Sequence, residues 1–337
     1  LMAKGQKESV SVGILGIGSC VPEKILTNSD LEKMVDTSDE WIIQRTGISE
    51  RRIMDKNTPT YTLAVEAAKQ AIMDSGISPE QIGLILVATS TPDFLTPSTS
   101  CIVQKETGAV NAAAFDIMAA CSGFIYGLTI AKQFVETGYY EYVLLVSSEG
   151  MSKAVDWTDR KTCVLFGDGA GAVVIGKVEE GYGILSTYLG ADGASGHHIT
   201  IPCLHLPEEE LEKRKDYENK IAIYQDGHEV FKFAVRIMPY ATEKVMENTD
   251  ITMDDVKYII PHQANSRIIE SAVKRLGVAL EKVYTTIRKY GNISSASIPV
   301  AMDDAYRKKR ISKGDNLVLV GFGGGLTWGS ALLRWSK

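Results

Sequence analysis

The sequence has few of the features that mark secreted, membrane-spanning or metal-binding proteins. Its cysteines are odd in number and form no CxxC pair, which argues against a disulfide framework and favours a reducing compartment. Its histidines form neither HExxH nor a Cys/His cluster with zinc spacing, so no metal site is expected. No apolar run approaches the roughly 18 residues that span a bilayer, and the first residues lack the apolar core of a signal peptide. We therefore predict a cytoplasmic protein that has no membrane-spanning segment.

A strong positive charge is also missing. The net charge of −6 argues against a non-specific nucleic-acid surface. The 337 residues, 45% of them hydrophobic, suit one large α/β unit or two domains. Residues 1–10 are expected to be a flexible N-terminus or a remnant of cloning, since Leu1 precedes Met2. Gly16 and Gly18 lack the third glycine of a dinucleotide-binding fingerprint, so we exclude a Rossmann site.

Strand-like and helix-like runs alternate along the chain, and two patterns recur. ITMDDVKYII (residues 251–260) repeats the turn, acidic cap and apolar strand of ISPEQIGLIL (residues 77–86). FGGGLTWGSALL, which begins at Phe322, repeats the glycine turn and apolar strand of FGDGAGAVVIG, which begins at Phe166. Because both pairs occur in the same order about half a chain apart, they predict an internal duplication. We place the two α/β halves at residues 11–176 and 177–337.

Cys121 is the strongest candidate for a catalytic residue. The apolar run Phe115 to Ala120 leads into it, a small-residue turn follows, and an apolar-periodic stretch begins at Phe124. This pattern predicts a strand, a tight turn and a helix, with the thiol at the helix N-terminus. Backbone N–H groups and the helix dipole favour the nucleophilic thiolate there. The alternative is an inert core cysteine, since free cysteine is among the most buried residue types.

Three further polar elements are predicted at strand ends. His262 follows the strand YIIP, Asn292 lies in the turn GNISS, and Gly323 to Gly325 form a glycine loop. A thiolate can take an acyl group from a thioester, and backbone N–H groups of the glycine loop can bind the oxyanion. His262 and Asn292 can both donate hydrogen bonds to an enolate formed when a malonyl group loses CO₂. Taken singly, the histidine can be structural and the asparagine a simple turn residue.

The sequence closely resembles the β-ketoacyl-acyl carrier protein (ACP) synthase III family of the thiolase superfamily. The resemblance runs over nearly the whole chain, through LGIGSCVPEKILTN, TSDEWIIQRTGI, TDRKTCVLFGDGAGA, PHQAN and GFGGGLTWG. It implies an α/β fold of five layers, αβαβα, built from two duplicated halves and working as a homodimer. It implies that a short acyl-CoA primer, acetyl or branched, condenses with malonyl-ACP, releasing CoA and CO₂ and starting fatty-acid synthesis. No cofactor is implied, because the coenzyme A thioester is a substrate.

The resemblance also implies roles for individual residues. Cys121 is the acylated nucleophile, His262 and Asn292 serve decarboxylation and enolate stabilisation, and the N–H groups of Cys121 and Gly324 form the oxyanion hole. Residues implied for coenzyme A are Trp41 and Arg160 around the adenine, the neighbouring Arg45 and Thr46, and Phe231 and Asn265 along the pantetheine channel. Basic residues implied for docking ACP are Lys232, Arg267, Lys274 and Arg275.

One position departs from the acetyl-preferring members of the family, which have a phenylalanine that reaches across the dimer and closes the acyl pocket. Here Thr96 stands at that place, before Pro97. The smaller side chain predicts that isobutyryl-, isovaleryl- or 2-methylbutyryl-CoA is accepted besides acetyl-CoA. A one-residue shift of the alignment would bring Phe94 or Leu95 there instead.

Other functions are less well supported. A degradative thiolase needs a second cysteine in the C-terminal glycine loop, and no cysteine follows Cys203. Elongating synthases have a second histidine where Asn292 stands. A condensing enzyme of secondary metabolism with the same fold and triad is the main alternative. A Cys–His–Asn thioester hydrolase and a non-catalytic acyl-carrier-binding protein are the alternatives from other classes. We assign no chemistry to the charged segment Leu206 to Lys220, which is predicted to be a solvated helix or excursion.

Overall fold

The computed structural model describes residues 10–337. The expectation for residues 1–10 therefore falls, apart from Val10, outside the described residues. The strands are β1 (Val12–Cys20), β2 (Ile25–Thr27), β3 (Glu50–Arg52), β4 (Ile82–Ala88), β5 (Ala113–Ile117), β6 (Tyr142–Gly150), β7 (Asp168–Lys177), β8 (Gly183–Ala191), β9 (Ile199–Thr200), β10 (Tyr224–Gln225), β11 (Val256–Pro261), β12 (Asn316–Gly323) and β13 (Thr327–Arg334). The α-helices are α1 (Asn28–Leu31), α2 (Asp39–Thr46), α3 (Tyr61–Ser75), α4 (Thr99–Thr107), α5 (Gly123–Glu136), α6 (Glu208–Lys213), α7 (Gly227–Met246), α8 (Ser266–Leu276), α9 (Ile287–Tyr290) and α10 (Ser297–Arg307).

Two large sheets and three helical layers stack as predicted. The first sheet has the order β1-β7-β6-β4-β5 and the second has the order β11-β12-β13-β8. Helices α5 and α10 lie between the sheets and share one apolar core with both. Helices α3 and α4 cover the outer face of the first sheet, and α7 and α8 cover the outer face of the second. The five-layer αβαβα fold is confirmed.

Four strands of the first sheet repeat the arrangement of the second sheet, and β5 is an additional edge strand. In the first sheet β7 runs antiparallel to both β1 and β6, and β6 runs parallel to β4. In the second sheet β13 runs antiparallel to both β8 and β12, and β12 runs parallel to β11. The recurring sequence patterns occupy equivalent strands, because β4 and β11 each follow a capped 3₁₀ turn. The strands of the first sheet end at Lys177 and those of the second begin at Gly183. The halves share the central core, and their division into two domains stays a prediction.

Helix-capping residue types predict the start of one of the first two helices correctly. Ser38 is predicted to cap the helix in DEWIIQRTG, and it caps α2 by accepting the N–H of Trp41, while Gly47 ends that helix in the left-handed region. For the first short helix the sequence predicts Asn28 or Ser29 as the cap. Thr27 caps it instead, because its hydroxyl and the Asp30 carboxylate form a capping box.

The charged segment Leu206 to Lys220 is not simply a solvated excursion. Arg214 within it is fully buried. Its guanidinium donates to the carbonyl oxygens of Ala222 (2.9 Å), Thr200 (2.9 Å) and Glu210 (3.1 Å), and it pairs with the Glu210 carboxylate. Since charged groups are buried only when paired and hydrogen-bonded, these contacts of Arg214 tie the segment to Thr200 of β9 and to Ala222.

Candidate active site

A cavity of about 230 Å³ opens where four turns meet. They are the β5–α5 turn with Cys121, the β11–α8 turn with His262, the α9–α10 turn with Asn292, and the β12–β13 turn with Gly323 and Gly324. The sequence predicts all of these elements at strand ends, and the duplicated fold brings them together. The prediction is confirmed for Cys121, His262 and the glycine loop, but Asn292 lies between the helices α9 and α10. Of the residues predicted for catalysis, all line this one cavity.

Cys121 lies in the 3₁₀ turn Ala120–Ser122, directly ahead of α5. Ala120 adopts φ +44°, which non-glycine residues rarely do and which often marks a functional site. The position at a helix N-terminus is as predicted. The expected ionisation is not, because burial raises the pKa of the Cys121 thiol to about 12. The unreacted side chain is therefore a thiol, and attack on a substrate requires that its proton be removed.

His262 follows β11 and is almost wholly buried. Its main-chain N–H donates to the carbonyl oxygen of Val320 (2.7 Å), and its ring packs against that of Phe322 at 5.4 Å between centroids. Burial lowers the pKa of the imidazole from its ordinary 6.5 to about 3, so the ring is neutral at physiological pH. Its Nδ1 is buried and has no hydrogen-bond partner within the described residues. A neutral imidazole can donate one hydrogen bond and accept another.

Hydrogen bonds of its backbone hold Asn292 in place. Its N–H donates to Leu165 O (2.9 Å), and its carbonyl accepts from Gly167 N (3.1 Å). Its Oδ1 accepts the N–H of Ser294 (2.8 Å), which leaves the Nδ2 donors for a ligand. The amide thus faces the cavity as a hydrogen-bond donor, alongside His262.

The glycine loop packs directly on the nucleophile. A Cβ built on Gly323 would lie 3.0 Å from Cys121 N and 3.1 Å from its Sγ. Gly324, the residue assigned to the oxyanion hole, also lines the cavity. A Cβ built there would meet Ala120 at 3.5 Å, an ordinary contact. Gly323 therefore permits the close approach, and its importance was not singled out from the sequence.

The sequence alone does not predict a role for three buried polar residues near the cavity, which are Glu149, Gln263 and Ser294. Ser294 Oγ lies 3.5 Å from Cys121 Sγ, and Ser294 donates to the fully buried carboxylate of Glu149. Gln263 accepts the N–H groups of Thr286 and Ile287 and so ties the His262 turn to the segment that leads to Asn292. A signal for Glu149 is present in the sequence, because it is the one charged residue of the strand YVLLVSSEG.

All of the residues assigned to coenzyme A except Arg160 line the cavity. The Arg160 guanidinium lies 5.3 Å from the centroid of the Trp41 ring, a cation–π pair that also presents flat surfaces to an aromatic ligand. Arg160 is anchored by donation to the carbonyl oxygen of Asp36 (2.6 Å). Arg45 and Trp41 line the cavity, but Arg160 is outside its lining.

The other assigned residues differ in what they offer a ligand. Phe231 lines the cavity with its ring. Asn265 also lines it, but its Oδ1 caps α8 and its Nδ2 donates to Arg45 O (3.0 Å). Thr46 is buried, and its hydroxyl donates to Ile42 O (2.7 Å) within α2. Thr46 therefore contributes its surface and not its hydroxyl.

The residues assigned to ACP lie on the exposed faces of two packed helices. Lys232 is on α7 and Arg267, Lys274 and Arg275 are on α8, and all four are exposed. The Arg267 guanidinium lies 6.0 Å from the Phe231 ring, which lines the cavity. The basic patch therefore begins at the cavity mouth.

Thr96 is not part of the cavity of its own chain. It is exposed, in the loop that leads to α4. Asp116 on β5 accepts the N–H groups of Thr99 (2.7 Å) and Ser100 (2.8 Å), so the start of α4 is tied to the edge strand of the first sheet. The assignment of Thr96 to an acyl pocket stays a prediction that depends on a second copy of the chain.

Residues 10–337 lack two features that would indicate other kinds of function. Within that range no group of three or more His, Cys, Asp or Glu side chains is placed to hold a metal ion. None of the helices described is long and apolar enough to cross a membrane.

Comparison with known proteins gives consistent matches. The family described as 3-oxoacyl-[acyl-carrier-protein (ACP)] synthase III matches residues 115–193, and its C-terminal region matches residues 246–335. The β-ketoacyl-[acyl-carrier-protein] synthase III of Caldanaerobacter subterraneus subsp. tengcongensis is 56% identical over 334 residues, covering 98% of this chain and 99% of that protein. The crystal structure of 3-oxoacyl-[acyl-carrier-protein] synthase III from Aquifex aeolicus VF5 is 45% identical with a TM-score of 0.89, covering 96% of this chain and 100% of that one. The priming β-ketosynthase of the R1128 polyketide pathway is 33% identical with a TM-score of 0.90, covering 100% and 99%.

Proposed function

The chain belongs to the β-ketoacyl-ACP synthase III family of condensing acyltransferases, and from that premise we propose that it joins a short acyl-CoA primer to malonyl-ACP. The products are a 3-oxoacyl-ACP, coenzyme A and CO₂, and the reaction starts fatty-acid synthesis. The observation that carries this proposal is the convergence of Cys121, His262, Asn292 and the glycine loop on one buried cavity.

Loading of the primer is the first step. The Cys121 sulfur attacks the thioester carbonyl carbon, a tetrahedral intermediate forms, and coenzyme A leaves as the acyl-cysteine is completed. The N–H groups of Cys121 and Gly324 are assigned to the oxyanion. One such donor is worth about 10²–10³ in rate. The adenine end of the primer is assigned to Trp41 and Arg160, whose paired flat surfaces suit a purine.

Condensation is the second step. Loss of CO₂ from malonyl-ACP leaves an enolate, whose oxygen accepts hydrogen bonds from His262 and Asn292. A neutral donor pair suits this role, because a buried imidazolium would be costly, and the lowered pKa of His262 keeps its ring neutral. The enolate carbon then attacks the acyl-cysteine and releases Cys121. These steps are complete without a resident metal or cofactor, since coenzyme A enters as part of the substrate.

The acyl carrier is assigned to the basic patch of Lys232, Arg267, Lys274 and Arg275. Attraction between a basic surface and an acidic carrier protein steers their association and fixes the orientation in which they bind. The patch stands out on a chain with a net charge of −6. Its position at the cavity mouth allows a tethered malonyl group to reach Cys121.

The proposal includes a homodimer. β5 is the edge strand of the first sheet. On and beside it, Phe115 is 40% exposed and Met118 is 73% exposed. An open edge with apolar side chains is a site for pairing with another chain. A second copy placed there would be reached by Thr96, and its small side chain supports acceptance of branched primers. We also place the protein in the cytoplasm, because all five cysteines are free thiols and one is the nucleophile.

A priming condensing enzyme of secondary metabolism is the second candidate, favoured by the likeness to the R1128 priming ketosynthase. Such an enzyme would have the same catalytic Cys121, His262 and Asn292 and would differ in the acyl chain whose synthesis it starts. The higher identity to the fatty-acid relatives supports the first candidate.

Mass spectrometry after acyl-CoA addition tests the proposal. The purified protein is incubated separately with acetyl-CoA and isobutyryl-CoA, with Cys121→Ser as the control. We expect an acyl adduct on Cys121 that converts to a 3-oxoacyl product only when malonyl-ACP is added. Discharge of the adduct to free acid would indicate a hydrolase instead. Absence of any adduct on wild-type protein would contradict acyl-CoA as the primer.

A further inference from the structure

A buried carboxylate behind the nucleophile has no part in the steps above. Glu149 ends β6 and is fully buried. Its Oε1 accepts from the hydroxyls of Ser294 (3.0 Å) and Ser295 (2.7 Å). Its Oε2 accepts from Ser90 N (3.0 Å) and the Thr91 hydroxyl (2.9 Å). All four partners are donors, which is the arrangement that an ionised carboxylate requires.

Ser294 connects this carboxylate to the reacting sulfur. The Cys121 Sγ lies 3.5 Å from Ser294 Oγ. A serine hydroxyl has a single hydrogen, and Ser294 donates it to Glu149, so its oxygen is free to accept the thiol proton. The result is a continuous chain from S–H through O–H to carboxylate. Ser294 is held in it at φ +47°, with its N–H on Asn292 Oδ1.

We propose that Glu149 is a positioning residue that holds the Ser294 hydroxyl and, through it, takes up the proton of Cys121 as the thiol attacks the acyl-CoA. The inference rests on the proposed function, since it assigns the proton of that reaction's first step. Ser294 touches the reacting sulfur, whereas Glu149 acts through Ser294.

The proton and the electron pairs balance in this step. The thiol proton passes to Ser294 Oγ while the Ser294 proton passes to Glu149 Oε1, and the freed sulfur pair forms the bond to the carbonyl carbon. When the carbon–sulfur bond to coenzyme A breaks, the leaving sulfur takes a proton back along the same route. Glu149 is then a carboxylate again, and no oxidant, reductant or further reactant is used.

The proton transfer from Cys121 to Glu149 is favourable because it leaves the number of buried negative charges unchanged. Burial raises the pKa of both Cys121 and Glu149, and the charge of Glu149 raises that of Cys121 further, so it is costly for both groups to be negative at the same time. Ionising the thiol by transfer to solvent would leave two buried negative charges side by side. Transfer to Glu149 keeps a single negative charge and only moves it, which avoids that repulsion.

Other titratable or charged groups face these two from the surrounding elements. His262 lies across the cavity, and Arg45 and Lys161 are at its lining. On the neighbouring β7, Asp168 is occupied by Ser152 and by the N–H of Met54. All of these groups are unchanged in the variants below, so their titration cancels when variants are compared.

The test compares Glu149→Gln and Ser294→Ala with Ser295→Ala as the matched control. Ser295 donates to the same Oε1 but the sulfur contact is made by Ser294. Acyl-cysteine formation from acetyl-CoA is measured in single-turnover rapid-quench experiments from pH 6 to 9. A general base contributes about 10²–10⁴ in rate, so Glu149→Gln and Ser294→Ala are expected to load about 100-fold more slowly, with an unchanged KM for acyl-CoA. Their loading rate should rise tenfold per pH unit, more steeply than that of wild type.

Ser295→Ala is expected to load within about threefold of wild type, since it leaves the proposed chain of proton transfer in place. Decarboxylation of malonyl-ACP should be retained in all three variants, because it depends on His262 and Asn292. Loading by Glu149→Gln as fast as by Ser295→Ala would overturn the inference, as would an equal loss in both serine variants. If thermal melting shows that Glu149→Gln does not fold, the two serine variants decide alone. A wild-type protein that fails to load would refute the proposed function and not this relay in particular.

Discussion

Substitution of Gly323 by alanine gives a sharp test of how tightly the nucleophile is enclosed. The new Cβ would lie 2.8 Å from Cys121 Cβ and 3.0 Å from Cys121 N. The second of these is a backbone atom in a 3₁₀ turn that packs under the glycine loop. The contact cannot be relieved by a side-chain rotation, so either the loop or the nucleophile must move.

The size of the movement follows from the geometry. Ordinary contacts of a Cβ begin at 3.4 Å, so the shortest contact must lengthen by about 0.6 Å. A misplacement of about 1 Å can cost a factor of about 10², so a loss of about 10- to 100-fold in the acylation rate is expected. Overpacking should also lower the free energy of unfolding by about 1–3 kcal/mol.

Gly324→Ala is the matched control, one residue further along the same loop. Its Cβ would lie 3.5 Å from Ala120 Cβ and 3.6 Å from Ile199, within ordinary contact. The variant keeps the N–H assigned to the oxyanion, so its acylation rate should stay within about threefold of wild type. Single-turnover acylation by acetyl-CoA and thermal denaturation measure both effects. Equal rates for the two variants would refute the argument that Gly323 is needed for close approach to Cys121.

Two further predictions concern the primer and pH. Thr96→Phe should lower kcat/KM for isobutyryl-CoA relative to acetyl-CoA by about tenfold or more, since a methyl or methylene in a pocket is worth about 1–3 kcal/mol, while Thr96→Ser should keep the wild-type ratio. An unchanged ratio in Thr96→Phe, or a wild-type preference for acetyl above about tenfold, would contradict the assignment. Because the folded pKa of His262 is lowered from 6.5 to about 3, the unfolded chain binds a proton below pH 6.5 that the folded protein does not, and the folded state loses stability as pH falls. Denaturant unfolding of wild type and His262→Asn measures this effect. Between pH 7.5 and pH 5 the unfolding free energy of wild type should fall by about 2 kcal/mol relative to that of the variant, at 1.36 kcal/mol per pH unit below pH 6.5. A difference that does not change with pH would contradict a neutral buried His262.

The fold and the main site residues were within reach of the sequence because they depend on local patterns. Apolar strands, caps and glycine turns repeat in order, and Cys121 and His262 each follow a strand. The ionisation of Cys121 was not within reach. The helix N-terminus is visible in the sequence, but the burial that raises the pKa of Cys121 comes from segments distant along the chain, such as the glycine loop at Gly323.

Long-range polar pairs account for the remaining differences. Glu149 and Ser294 are far apart in the chain, and no local spacing relates them. Arg214 lies in a segment whose composition indicates exposure, yet it is fully buried because Glu210, Thr200 and Ala222 supply acceptors around it. The composition of a segment predicts the average exposure of its residues. It does not predict that one side chain, here Arg214, is buried by acceptors from the same part of the chain.

The duplication explains why the nucleophile and its proposed proton relay lie side by side. Each half has a three-residue 3₁₀ turn that begins at a positive φ and leads into a helix of the central layer. In the first half Ala120 begins this turn and Cys121 follows it, and in the second half Ser294 begins it and Ser295 follows. The two turns hold equivalent positions in the repeated fold.

Each of these turns packs on the strand ends of the opposite half. The end of β12 in the second half, at Gly321 and Gly323, lies against Cys121 in the first. The end of β6 in the first half, at Glu149, accepts from Ser294 and Ser295 in the second. One copy of the duplicated turn therefore carries the sulfur, and the other carries the Ser294 hydroxyl that connects it to a carboxylate. Since each turn depends on the other half for its surroundings, neither half alone would assemble the site, which is consistent with the single apolar core that the halves share.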